Sequence, residues 1–199
     1  MTKRGDINIF MIISFAGDMG SGKSTIAKMI AEKLSYPRYY MGGIRREIAK
    51  QRGLSLAEFN KVGETDPSTD SEVDEYQKRL GKILDNFVIE GRTSWYLIPH
   101  SIKIYLAVSE EEGAKRIFEE LKSSQERNED KKLESYEDVL KSIKERKKCD
   151  KLRYKKYYDI DAYDKNNFDF IIDTTNLSIK QVFEKVMKFI EEKQKVDKK

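Results

Sequence analysis

The feature that most constrains this chain is Gly17-Asp18-Met19-Gly20-Ser21-Gly22-Lys23-Ser24-Thr25, which reads G-x-x-x-x-G-K-S, the phosphate-binding P-loop pattern. Before it, residues 9–16 form an apolar run of the kind shown by a strand buried on both faces. After it, Ile26, Met29, Ile30 and Leu34 recur at helical spacing. The order is therefore strand, loop, helix, and the chemistry needs that order. Gly17, Gly20 and Gly22 allow a tight bend and bring backbone N–H groups up to a polyphosphate with no Cβ in the way. The helix behind them aims its N-terminus, the positive end of its dipole, at the same phosphates. Lys23 supplies a mobile charge for the β- and γ-phosphates, and the Ser24 hydroxyl is placed to bind Mg²⁺. Residues 17–25 are thus the candidate nucleoside triphosphate site.

Composition narrows the mechanism. The chain has 199 residues, enough for one well-buried core with small insertions, and no run approaches the length of a membrane span. Residues 1–6 lead into the first strand and do not read as a signal peptide, so a cytoplasmic protein is expected. There is one cysteine, Cys149, and one histidine, His100, so neither an internal disulfide nor a Cys–His dyad can form the basis of the chemistry. Cys149 reads as a small packing residue. Phosphoryl transfer asks instead for positioning and positive charge, and Lys plus Arg total 39. The net charge of +4 decides little, but its distribution matters. Residues 58–75 hold seven acidic residues and one Lys, whereas residues 141–156 hold nine basic and two acidic ones.

Along the chain, strand patterns at 36–41, 86–91, 103–108 and 168–173 follow the first one. Between them lie helical patterns, several opened by capping boxes: Ser55-x-x-Glu58, Ser109-x-x-Glu112, Ser135-x-x-Asp138 and Ser178-x-x-Gln181. A helix is expected from Ile44 to about Gly53, and another from Val73 to Leu84 after a turn at 65–68. The alternation predicts an α/β chain with the P-loop NTPase fold, a parallel sheet of about five strands with helices on both faces. Two segments break the alternation and are expected at the carboxyl ends of strands, where ligands bind. Residues 43–78 are assigned to a second-substrate segment and 123–156 to a lid, leaving 1–42, 79–122 and 157–199 as the core. Residues 123–134 are polar and aperiodic and are expected to move.

Four further groups carry chemistry. Glu90-Gly91-Arg92 ends a strand beside the P-loop, so Glu90 can bind a Mg²⁺-bound water and Arg92 can reach the transferring phosphate; the alternative is a strand end with a surface ion pair. Arg45-Arg46 opens the second-substrate segment and can grip a monophosphate, but adjacent helical residues diverge, so one of the two would do so. Arg146, Asp150 and Arg153 are spaced by four and three, on one helical face, as a clamp for phosphates or as a solvated salt-bridge ladder. Asp66, Asp70 and Asp74 can accept from a base's exocyclic amino group, although such a run is more often a solvated face.

Together these residues resemble the nucleoside monophosphate kinases, most closely the cytidylate kinases of the smaller, archaeal type, over nearly the whole chain. The resemblance rests on Gly17 to Thr25, Gly43-Ile44-Arg45-Arg46, Glu90-Gly91-Arg92, Arg146-x-x-x-Asp150-x-x-Arg153-Tyr154 with Asp159-Ile160-Asp161, and Asp173-Thr174-Thr175-Asn176-Leu177-Ser178. It implies that Arg46 rather than Arg45 holds the acceptor's phosphate, with Arg92. It implies also that Arg146 and Arg153 act in the lid, that Asp150 orients them or touches the ribose, and that the donor's adenine lies on the backbone at Thr174, Thr175 and Asn176. The chain departs from the bacterial type, which has an Asp after Gly-Arg and a larger insertion; here Thr93 follows. The expected reaction is transfer from ATP·Mg²⁺ to CMP or dCMP by a monomer, with no membrane or nucleic-acid partner. Asp70 and Asp74 are the candidate base contacts. An adenylate kinase would carry Asp-Gly-Phe-Pro-Arg where Glu90-Gly91-Arg92-Thr93-Ser94 stands, and a GTPase would need Asn-Lys-x-Asp where Asn60-Lys61-Val62-Gly63 stands. A kinase for another small acceptor, and a nucleic-acid binder using the basic helix, are the competing readings.

Overall fold

The computed structural model describes residues 11–123 and 133–196. Its sheet has five parallel strands, β1 (Ile12–Gly17), β2 (Arg38–Tyr40), β3 (Phe87–Glu90), β4 (Ile102–Ala107) and β5 (Phe170–Asp173), in the order β2-β3-β1-β4-β5. β1 lies at the centre and all six of its residues are buried, which is why it reads as an unbroken apolar run. Its alternate side chains serve opposite faces. Ile13 and Phe15 join Val88, Ile104 and Leu106 against α1 (Lys23–Leu34) and α8 (Ile179–Val196). Ile12 joins Phe87, Ile89 and Ile98 against α4 (Ser68–Ile83), and Trp95 of α5 (Ser94–Leu97) continues that layer over Tyr105. The remaining helices are α2 (Met41–Gln51), α3 (Leu56–Gly63), α6 (Glu110–Ser123) and α7 (Tyr136–Tyr158). Among the described residues no helix is long and apolar enough to cross a membrane.

The parallel sheet and its two helical layers match the sequence expectation, and several helix starts do not. Residues 9 and 10 of the expected first strand, and most of the polar segment expected to move (124–132), lie outside the described residues. α2 begins at Met41, so Gly42 and Gly43 are helical: they lie under the Tyr40 ring, where a Cβ on either would sit 2.7–2.8 Å from a ring carbon. α4 begins at Ser68 rather than Val73, because Asp66 Oδ1 accepts the Ser68 N–H at 2.9 Å and Pro67 sets the first turn. Its buried residues include Asp70, Val73, Asp74, Gln77 and Leu80, one helical stripe in which the polar members made the pattern look solvated. The expected segment limits at 42/43, 78/79, 122/123 and 156/157 all fall inside helices, in α2, α4, α6 and α7.

α7 is docked along its length. Val139 and Ile143 pack with Ala114 and Ile117 of α6 and with Met19 of the loop after β1, and further along Asp150, Arg153 and Tyr154 are buried. Lys144, Lys148 and Lys151 face solvent, while Lys147 is half-buried and pairs with Glu110 at 3.3 Å. α6 approaches the loop after β1 so closely that Gly113 and Gly20 lie backbone to backbone, and a Cβ on Gly113 would overlap the Met19 carbonyl oxygen. Ala is ordinarily about 1 kcal/mol better than Gly inside a helix. Gly113→Ala is nevertheless expected to lower the melting temperature, because backbone atoms cannot step aside; a variant melting at or above the parent would show that the contact yields.

Candidate active site

The site is built on the turn between β1 and α1. Gly20 (φ 75°) and Gly22 (φ 81°) are both left-handed, which a side chain would resist, and Gly22 caps α1. The turn is braced from behind. The Asp18 carboxylate accepts from the Tyr105 hydroxyl at 2.9 Å and from the Val108 N–H at 3.3 Å, and the Met19 side chain is buried against α6. Asp18 and Met19 thus hold the loop through their side chains and leave only backbone for a ligand. Lys23 Nζ donates to the carbonyls of Gly17 (3.0 Å) and Asp18 (2.6 Å), and to Ser21 Oγ at 3.4 Å. Burial, then the neighbouring Arg92 charge, push its pKa well below the usual lysine value.

One cavity faces this loop, and it gathers most of the residues singled out in the sequence. Lys23, Ser24, Arg46, Asp70, Asp74, Glu90, Arg92, Arg146, Asp150 and Arg153 all line it. Thr25 lies outside it, exposed on the first turn of α1. Thr175 and Asn176 are also outside, behind the loop, where Thr174 Oγ1 donates to the Ser21 carbonyl at 3.2 Å. The sequence reading missed Arg116, whose guanidinium joins these parts: it donates to the carbonyls of Thr174 (2.8 Å), Thr175 (3.1 Å) and Gly20 (3.4 Å). Its only local signal is the i,i+4 pair with Glu112 at 2.8 Å.

Across the cavity runs a row of buried charges alternating in sign. Arg45 Nη1 pairs with Asp70 Oδ1 at 2.5 Å, and Asp70 Oδ2 with Arg153 Nε at 2.8 Å. Arg153 Nη2 then reaches Asp150 Oδ1 at 3.0 Å, Asp150 Oδ2 lies 3.1 Å from Arg92 Nε, and Arg92 Nη1 donates to the Gly17 carbonyl. The Tyr163 hydroxyl also donates to Asp150 Oδ2 at 2.9 Å, and its ring lies 4.8 Å from the Arg92 guanidinium. Burial opposes the Asp150 charge, but Arg92, Arg153 and Arg146 outweigh it and hold the carboxyl at about 2. A carboxyl lowered in the fold contributes stability that is fully present above its ordinary pKa near 4 and is lost as the pH falls towards 2.

This row corrects two expectations. Asp150 bonds Arg153 and Arg92, not Arg146 and Arg153, because Arg92 arrives from the turn after β3 and takes its second oxygen. Arg153 is 1% exposed and held at both ends by carboxylates at the cavity wall, so it is not a rung of a solvated ladder. Asp70 and Asp74 are buried too, contrary to a solvated acidic face. The two neighbouring arginines do diverge. Arg45 is taken up by Asp70, by Asn60 Oδ1 (2.9 Å) and by the Thr69 carbonyl (3.0 Å), whereas Arg46 lies against the Tyr40 hydroxyl and the Gly42 carbonyl at the cavity wall. Glu90 is buried and its Oε1 is paired by Arg38 Nε at 2.6 Å, a partner that nothing in the local sequence announces. Cys149 is packed away, and burial pushes its thiol up to about 11.

The glycine loop and several arginines thus share one cavity. The model of the cytidylate kinase-like family matches residues 12–176. The chain belongs to that family. A cytidylate kinase of Methanocella arvoryzae is 35% identical over 185 residues, covering 93% of this chain and 99% of its own length. Another, of Methanocaldococcus jannaschii, is 38% identical over 178 residues, covering 87% and 93%. Solved structures show the same fold at low identity. A shikimate kinase of Bacteroides thetaiotaomicron superposes with a TM-score of 0.60 at 15% identity, covering 94% of this chain and 99% of its own. An uncharacterized protein of Eubacterium ventriosum gives 0.64 at 19%, covering 91% and 98%. The P-loop kinase fold and membership of a nucleoside monophosphate kinase family thus agree with the site.

The buried row has a direct consequence for this cytidylate kinase-like chain. Arg153→Ala leaves Asp70 and Asp150 with one cationic partner each, and breaking a buried pair in that way costs about 3–5 kcal/mol. A solvated ladder would lose about 0.3–0.5 kcal/mol. Urea unfolding of the variant separates the two, and a midpoint close to that of the parent would contradict the burial of the row.

Proposed function

We propose that this protein transfers the γ-phosphate of ATP to CMP, and also to dCMP, giving the diphosphates, with Mg²⁺ and among the soluble nucleotides of the cytoplasm. The observation that carries the reading is the cavity itself, which gathers Lys23 and the glycine loop with Arg46 and Arg92. In this reading the loop, residues 17–25, binds the donor's phosphates, and its adenine lies on the backbone at Thr174, Thr175 and Asn176. Arg46 and Arg92 bind the acceptor's phosphate, an α-phosphate oxygen of which attacks the γ-phosphate in line. That oxygen is already ionised, so no general base is required. Lys23, Arg92 and Arg146 offset charge developing on the transferred group. Arg153 works indirectly, by holding Asp150 and hence Arg92.

The hydroxyl of Ser24 and the carboxylate of Glu90, both at the cavity wall, are oxygen donors suited to a hard cation. Ser24 would hold Mg²⁺ directly and Glu90 through water, and the ion would supply positive charge bridging the donor's phosphates. The segment from α2 to α4 would bind the acceptor, and α7 would form the cover over the transferring group. The chain is read as a monomer.

A coupled assay with ATP, Mg²⁺ and a panel of CMP, dCMP, UMP and AMP tests the reading; activity confined to AMP, or to none of the four, overturns it. Lys23→Ala should keep the fold and lose on the order of 10²–10³ in turnover, the usual effect of removing one preorganised charge. Turnover within about threefold of the parent would remove Lys23 from the mechanism. Arg46→Ala should raise the KM for CMP more than it lowers turnover, because its phosphate is present before and after transfer. A rise in the KM for ATP alone would mean that the two phosphate sites are exchanged.

A further inference from the structure

Two carboxylates of α4 face the cavity, one turn apart, and their surroundings differ. Asp70 has both oxygens paired with guanidiniums, Arg45 on Oδ1 and Arg153 on Oδ2, so its charge and its geometry are taken. Asp74 is 5% exposed and is bonded by neutral donors. The Tyr158 hydroxyl donates to Oδ2, and Oδ1 accepts from Thr93 Oγ1 at 3.2 Å and from Gln77 Nε2 at 3.0 Å. The Gln77 amide is oriented in turn, since Ser94 Oγ donates to its Oε1 at 2.6 Å and leaves the NH₂ pointing at Asp74 and Thr93. Three donors thus converge on the Asp74 carboxylate, two on Oδ1 and one on Oδ2, and leave one lone pair of Oδ2 for a ligand in the cavity that Asp74 lines.

We infer that Asp74 reads the acceptor's base as a fixed hydrogen-bond acceptor, and that Tyr158, at the end of α7, is the positioning residue that holds it. This rests on reading the cavity as a pyrimidine monophosphate site and names how that site selects. Pyrimidines differ at position 4. Cytosine offers an amino group, a donor that a carboxylate satisfies; uracil offers a carbonyl oxygen, which would set lone pairs against lone pairs in a buried place. A site committed to one hydrogen-bonding sense discriminates strongly, because the wrong base leaves its buried polar atoms unpaired. Thr93, next to Arg92 in the turn after β3, serves as a donor to the carboxylate supplied by α4. Tyr158 adds a link: the helix that bears Asp150 and Arg153 at the phosphate end also bears the residue that steadies the base contact.

The test is the ratio of kcat/KM for CMP to that for UMP, in the full chain, with melting temperature measured alongside. The parent should favour CMP by about 10-fold to 200-fold, the discrimination of one good base contact. Asp74→Asn, which can turn an NH₂ to the cavity, should cut that ratio at least about tenfold, leaving the KM for ATP within about twofold. Tyr158→Phe, which removes one oxygen from a half-buried ring and is expected to fold, should narrow the ratio by about threefold or more. A purely structural tyrosine would lower activity on both nucleotides alike. A parent that uses CMP and UMP equally, or variants that keep the parental ratio, would overturn the inference while leaving the kinase reading intact. A parent inactive on both pyrimidines would instead overturn the kinase reading on which it rests.

Discussion

The contact on which the rest of the structure depends is Asp150 held between Arg92 and Arg153. A buried charge is tolerated only with a partner of opposite sign, and a partner so used needs one of its own. Here that requirement propagates from Arg45 through Asp70, Arg153 and Asp150 to Arg92, and ends on the Gly17 carbonyl at the head of the phosphate-binding loop. The members come from α2, α4, α7 and the turn after β3, so the row ties together every wall of the cavity. It carries three arginines against two aspartates, and its excess is positive on the side where phosphates would sit.

The two ends of the cavity are chemically unlike. At the loop end, Lys23, Arg46, Arg92 and Arg146 supply cations; at the far end, Asp74, Thr93, Gln77 and Tyr158 form a polar cluster without a bonded cation. That polarity suits a molecule with an anionic group at one end and hydrogen-bond donors at the other, the description of a nucleoside monophosphate with an amino-bearing base. Burial raises the Asp74 pKa, and the hydroxyls of Tyr158 and Thr93 oppose that rise, so the cluster works against desolvation. On the donor side, Arg116 performs a comparable service by stitching the turn after β5 to the phosphate loop.

Much of this was readable along the chain, for reasons of range. The phosphate loop is a contiguous motif, β1 and β3 are short, largely apolar runs, and the boxes of Ser55 with Glu58, Ser135 with Asp138 and Ser178 with Gln181 close within one helical turn, as the structure bears out. Interactions that span three or four residues are written in the local sequence, and hydrophobic periodicity reports which elements will be covered.

What the sequence by itself determined was therefore a parallel α/β sheet, the loop at the end of its central strand, and a surplus of arginines able to meet phosphates. Only the tertiary structure decided which arginines remain at the cavity and which are consumed. Arg92 meets Asp150 across 58 positions and Tyr158 meets Asp74 across 84, and Arg38 closes on Glu90 across 52. No pattern in residue type distinguishes Arg45 from Arg46, or Asp70 from Asp66; packing does, by setting Arg45 on the Asp70 carboxylate and Arg46 on the Tyr40 hydroxyl, and by burying Asp70 while Asp66 stays partly exposed. A periodicity argument scores every charged residue as solvent-facing, so it misreads a helix whose buried stripe includes carboxylates. The physical reason is that burying a charge depends on its partner, and here the partner is supplied by a distant part of the chain.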